Sequence, residues 1–269
     1  AQMGAMTSDQ INSLSTSQLG SFSGSQISSI STQALGDIAT QSVKALSVRQ
    51  IQALTTDQII ALIGDQMSAL STSQVSNLTA QQIGAIETRD LVVMDTSQIG
   101  AMTATQVSSL KTGQVSALTS SQLRSLDVGD IAKLSSSQVN VLDTSQIAAL
   151  STSQVAILSN QIVAAMGSAQ IAALDVSIAK LGNTSLAALN TNQVSAITTD
   201  QLRSLSTTQI GLISTAAFSS LNTNQISNLK TEQVSALTVA QVKSLGSDAI
   251  SSLSTSQIDV LKATQLAVI

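Results

Sequence analysis

Ser151-Thr152-Ser153-Gln154-Val155-Ala156-Ile157-Leu158 is one copy of an eight-residue unit, [Ser/Thr]-Thr-x-Gln-[Ile/Val]-x-x-Leu, from which the whole chain is built. Self-similarity at a fixed period outranks every other signal in a sequence. Taking the last slot as marker gives Met6, Leu14, Phe22, Ile30, Ile38, Leu46 and so on by eights to Leu174. Leu181 and Leu189 follow, then again eights to Ile269, making 34 copies. The one irregular step is Leu174 to Leu181, where a residue is missing. No Pro/Gly linker, charge block or change of period interrupts the chain. The sequence therefore predicts a single continuous octapeptide-repeat solenoid over 1–269, with a phase slip at 175–181.

Two slots are apolar in every copy: the Leu slot and the slot three residues before it, which runs Met3, Ile11, Leu19, Ile27, Leu35, Val43 and onward to Leu266. Positions three apart share one side of a helix but lie on opposite faces of a strand. A continuous helix cannot keep them together. Eight residues at about 100° each turn the apolar pair by roughly 80° per copy, so the stripe winds around the axis. The chain must break once per unit.

The break is written into the slots. The residue after the Leu slot is Ser, Thr, Asp, Asn or Gly in 27 of 33 cases, the set favoured at a helix N-cap. Three residues further on, Gln stands in 25 of 34 copies. Ser/Thr-x-x-Gln ahead of an apolar position is a capping box: the hydroxyl accepts from one orphan amide while the Gln reaches back to another. Ser71-Thr72-Ser73-Gln74-Val75 and Ser254-Thr255-Ser256-Gln257-Ile258 are clear instances. The expected fold is all-α, a solenoid of about 34 very short capped helices, each a cap plus about seven helical residues. Such helices fall below the roughly 12–15 residues that stand alone in water, so copies must stack on one another. The residues expected to form the capping ladder are Gln74, Gln98, Gln106, Gln114, Gln122, Gln138, Gln146 and Gln154.

The alternative is a β-solenoid with Thr and Gln ladders, since Thr fills the second slot in 17 of 33 copies and Ile and Val suit strands. Against it, tight β-coils need turn residues at their corners. Gly20, Gly84, Gly100 and Gly211 fall away from the corner, while Ala beside the Leu slot, as in Ala69-Leu70 and Ala149-Leu150, favours helix.

Composition narrows the chemistry. There is no His, Cys, Pro, Trp or Tyr, and charged residues make up 10% of the chain while 43% is hydrophobic. A nucleophilic Ser or Thr would need a base, and neither His nor Cys is present. Asp95 and Asp127 occupy cap slots, and Asp90 and Asp130 replace the Gln, so the carboxylates read as caps rather than as an acid–base pair. No His/Cys cluster or calcium-type loop is present, so neither a metal nor any other cofactor is expected, and the chain reads as non-enzymatic. A net charge of −4 with singly scattered Lys and Arg argues against nucleic acid. No apolar run approaches the roughly 18 residues of a membrane span. Asn77-Leu78-Thr79 and Asn183-Thr184-Ser185 match the glycosylation pattern, a common coincidence in a chain so rich in Ser and Thr. Opening at Ala1 without a charged-then-apolar leader, the chain reads as processed or as a segment of something longer.

Leu54-Thr55-Thr56-Asp57-Gln58-Ile59 and Leu118-Thr119-Ser120-Ser121-Gln122-Leu123 resemble the octapeptide arrays of very large, adhesin-like secreted or surface proteins of Gram-negative bacteria. The resemblance covers the full chain and implies an extracellular or bacterial cell-surface structural role, without carrying over any functional residue. The expected function is a stalk, or the subunit of an extracellular filament or matrix fibre. Head-to-tail self-association is expected because both ends are ordinary copies without a polar capping repeat. The alternative is an adhesin-type binding module that presents an exposed Thr/Ser/Gln face to a glycan or another surface.

Overall fold

The computed structural model describes residues 2–269. Among them each octad carries one short helical segment and none carries a strand. There are thirty-two α-helices of four to six residues and two 3₁₀ segments, Met3–Ala5 and Asp175–Lys180. The protein is an all-α solenoid, and the β-solenoid alternative is excluded for the described residues. The helices are shorter than the seven residues expected, because the Leu slot itself leaves the helical region. Leu118 (φ −58°, ψ 134°) and Thr119 (φ −68°, ψ 157°) are two successive extended residues, and together they make the corner. The side chain of the Leu slot thereby turns inward, while the helix forfeits its last residue.

The described chain groups into two compact units, one up to Leu134 and one from Ser135 onward. In the first, the helix Gly24–Ile27 packs on Val48–Ala53, Thr32–Gly36 on Thr56–Ala61, and Gly64–Ser68 on Thr88–Val93. These partners are three copies apart. In the second unit, Thr144–Ala148 packs on Ser168–Ala173 and Thr191–Ser195 on Thr215–Phe218, by the same interval. Along the interior of each unit both apolar slots are buried. Ile99, Val107 and Val115 alternate with Met102, Leu110 and Leu118 in the first unit, and Val194, Leu202 and Ile210 with Ile197, Leu205 and Ile213 in the second. The core is thus a thin apolar column that every copy feeds equally. No copy owns enough of it to fold alone.

Backbones approach closely where copies cross. A Cβ on Gly36 would lie 2.9 Å from the Ala61 carbonyl oxygen, and one on Gly100 would lie 2.8 Å from that of Ser125. Only glycine fits at those two positions.

The phase slip falls within the second unit and has a structural answer. The short copy forms the 3₁₀ segment Asp175–Lys180 instead of an α-helix. A 3₁₀ helix rises about 2.0 Å per residue against about 1.5 Å for the α form, so seven residues span the edge that eight span elsewhere. Ile178 and Leu181 remain buried, which keeps the column intact. The cost falls on Asp175, a non-glycine residue held at φ 48°.

Candidate functional site: the glutamine rungs

The feature that recurs through both units is a buried amide. In each of the eight ladder positions named from the sequence, Oε1 accepts from the backbone N–H of its own N-cap residue at 2.7–2.8 Å. These pairs are Gln74 with Ser71, Gln98 with Asp95, Gln106 with Thr103, Gln114 with Lys111, Gln122 with Thr119, Gln138 with Ser135, Gln146 with Asp143 and Gln154 with Ser151. Where the cap bears an oxygen the box is reciprocal: Thr119 Oγ1 accepts from Gln122 N at 3.2 Å, and Asp95 Oδ1 from Gln98 N at 2.8 Å. Lys111 offers no such oxygen, yet Gln114 still takes its N–H at 2.8 Å. The amide therefore does not depend on the hydroxyl.

The other end of the amide leaves the copy altogether. Gln114 Nε2 donates to Ile83 O at 2.7 Å and to Ile86 O at 2.8 Å. Gln122 Nε2 donates to Leu91 O and Met94 O, and in the second unit Gln233 Nε2 donates to Leu202 O and Leu205 O. In these rungs the acceptors are the two apolar slots of the copy four places back, at the end of a short helix, where the first carbonyl also accepts from its own Leu-slot N–H (Ile86 N to Ile83 O, 3.2 Å). Gln225 and Gln257 shift one acceptor to the next residue, Ser195 O and Ser227 O. Since helices pack at an interval of three and amides reach an interval of four, one turn of the coil holds between three and four copies. Where a rung spans the slip the reach shortens by one residue, Gln193 donating to Val163 O and Met166 O. Each rung satisfies one donor at the start of a helix and two acceptors at the end of another.

Sequence reasoning placed the cap half of this arrangement and missed the downward half. A signal for it was present: Glu serves a capping box as well as Gln, yet Glu fills none of the 34 slots. Unlike a carboxylate, an amide both accepts and donates. From Gln50 to Gln122 every Gln in the slot is buried and so removed from the surface, while the Thr beside it at 56, 72 and 88 is exposed; Gln10, Gln18 and Gln26 are exposed.

Asp90 and Asp130, which replace Gln, behave differently from each other. Asp130 Oδ2 accepts from Asp127 N at 3.1 Å and so keeps the cap half of the rung. Asp90 is buried with its Oδ2 lacking any hydrogen-bond partner, and Arg89 Nε stands 3.6 Å away. Burial raises both carboxyls above the ordinary carboxylate range. It outweighs the pull of the Arg89 guanidinium on Asp90 and of the Asp127 amide on Asp130. The two glycosylation matches are built into the fold: Thr79 Oγ1 accepts from Gln82 N, and buried Ser185 donates to Leu158 O.

Elsewhere in the first unit, a surface groove of about 980 Å³ runs beside Thr56, Ile60, Gly84, Ala85 and Thr88, with Arg89 and Lys111 at its edge. Arg89 is paired with Glu87 at 2.6 Å. Among the described residues no three His, Cys, Asp or Glu side chains gather in a way that could hold a metal ion, and no helix is long and apolar enough to cross a membrane.

Residues 83–120, 123–160 and 178–213 match the family model of the ALTTAQ repeat. These three tandem matches cover less than half of the chain and establish a repeat array. No curated protein matches the chain.

Proposed function

We propose that the protein is a structural element, a stalk or the subunit of an extracellular filament or matrix fibre of a bacterium, whose working part is the stack itself. The observation that carries this reading is the polarity of the rung. Each layer turns amide donors toward the copies before it and carbonyl acceptors toward the copies after it. Two such faces are complementary, so one stack can continue another head to tail, and a contact of that open kind propagates into a filament. The extracellular placement draws on the resemblance to bacterial surface arrays and on a cysteine-free, acidic, hydroxyl-rich composition. Electron microscopy and sedimentation of the purified chain over a range of concentrations test the proposal. Rods that lengthen with concentration are expected; dispersed monomers at every concentration would sink the filament reading.

The groove favours a second reading, a glycan-binding adhesin segment. Thr56 and Thr88 are exposed along it, Ile60 and Ala85 supply an apolar floor for the C–H face of a sugar, and the Arg89–Glu87 pair offers polar partners for its hydroxyls. Thr56→Arg and Thr88→Arg leave the buried column and the rungs untouched. Loss of carbohydrate attachment with assembly intact would favour this reading. Unchanged attachment would remove it.

A further inference from the structure

At Asp90 the ladder carries an acid where its neighbours carry an amide. The register on either side is explicit: Gln82 donates to Ile51 O and Leu54 O, and Gln98 to Met67 O and Leu70 O. The same register assigns Ile59 O and Leu62 O to the rung at 90. There the side chain is one methylene shorter than Gln, 3% exposed, and its Oδ2 has no hydrogen-bond partner. A carboxylate in this slot brings an acceptor where the neighbouring rungs bring a donor, and its buried Oδ2 meets no hydrogen-bond donor. Such a group needs a positive charge or a proton. Calcium takes six to eight oxygens, more than one carboxyl and two carbonyls supply, so a proton fits better than a metal ion.

Of the surrounding charges Arg89 favours the ionised form and Glu87 opposes it, and burial outweighs the pull of Arg89. Glu87 and Arg89 lie on the same turn; Asp65 belongs to the packed helix Gly64–Ser68; Lys111 caps the packed helix Thr112–Ala117; and Asp57 lies on Thr56–Ala61, the helix of the acceptor copy. Three acids face two bases. Arg89 is 71% exposed and already engaged by Glu87 at 2.6 Å, against 3.6 Å to Asp90.

We propose that Asp90 is an acid-operated rung: with its carboxyl protonated, the helix Thr88–Val93 seats firmly on the copy four places back, and with the carboxyl ionised that joint loosens. Burial, which raises this carboxyl, sets the sign. The folded form holds the proton more tightly than the unfolded chain does. The contribution to stability is therefore complete below the ordinary carboxyl value and is lost as pH rises through the raised one. The first unit thus contains a joint that tightens in acid and opens toward neutrality, and Asp130, which keeps its Asp127 amide, forms a milder version.

Hydrogen exchange of the full chain, read by mass spectrometry at several pH values and corrected for intrinsic rates, tests this with Asp90→Gln as reference. Asp90→Gln restores the consensus rung, and Asp90→Asn removes the charge without restoring the reach. Relative to both variants, wild-type peptides spanning 56–66 and 86–94 should lose protection by about tenfold for each unit of pH between the ordinary carboxyl value and the raised one, and should change no further above it. Peptides around Gln114 should show no such difference. The same pH response in Asp90→Gln as in wild type would overturn the proposal. Restoration of wild-type protection at neutral pH by millimolar calcium, absent in Asp90→Gln, would also overturn it by assigning the site to a cation.

Discussion

The copy Ser71–Leu78 has a hydroxyl cap, an amide that reaches Val43 O and Leu46 O, and a buried Val75–Leu78 pair. The copy Asp175–Leu181 has only the pair, Ile178 and Leu181. Ser177 stands in its Gln slot, and the hydroxyl donates to Leu174 O a few residues away rather than to an earlier layer. Both copies nonetheless keep their place in the column. The apolar pair alone positions a copy, while cap and amide set how firmly its ends are held.

Removing part of the pair should therefore hurt both copies alike. Leu78→Ala and Ile178→Ala are each expected to cost about 2–5 kcal/mol in denaturant unfolding. A clearly smaller loss at 178 would mean that the short copy does not rely on its pair. Gln74→Glu separates the copies: it sets a carboxylate against the Val43 and Leu46 carbonyls and should cost about 3 kcal/mol at neutral pH. Ser177→Ala, which removes a local hydroxyl only, should cost about 1 kcal/mol or less. Ser71→Ala deletes the acceptor for Gln74 N but spares the amide, and a loss of about 1 kcal/mol is expected from the same measurement. The smallest effect has the opposite sign. Asp175→Gly relieves the left-handed backbone of the short copy and should stabilise the second unit by up to about 1 kcal/mol, read as a rise in its unfolding midpoint.

Much of this architecture was legible because its signals are local. The three-residue spacing of Val75 and Leu78 spoke for a helix over a strand, though it left the β-solenoid as an alternative, and Ser71 with Gln74 located the start of a helix. The N-cap of every α-helix among the described residues falls on the slot that follows the Leu slot, while the two 3₁₀ segments start after Gln2 and Leu174. Helix length was less legible, because Leu118 is a good helix former that tertiary packing holds extended. The number of copies per turn was not legible at all. It follows from the corner angles at residues such as Leu118 and Thr119, which hydrophobic pattern does not encode. The second arm of Gln114 lay hidden for a related reason. Its acceptors Ile83 O and Ile86 O are backbone atoms, and carbonyls leave no mark in a sequence.

The direction in which the amides reach has a consequence for how the chain is made. Gln114 looks back 31 and 28 positions, Gln193 looks back 30 and 27, and none of the amide rungs described above waits for residues still to come. A copy leaving a ribosome finds its acceptors already in place. Sequence separation between partners stays near thirty residues however long the array grows, so the loop that each new copy must close never lengthens. A protein of this design can fold processively, one octad at a time, and its length need not slow it.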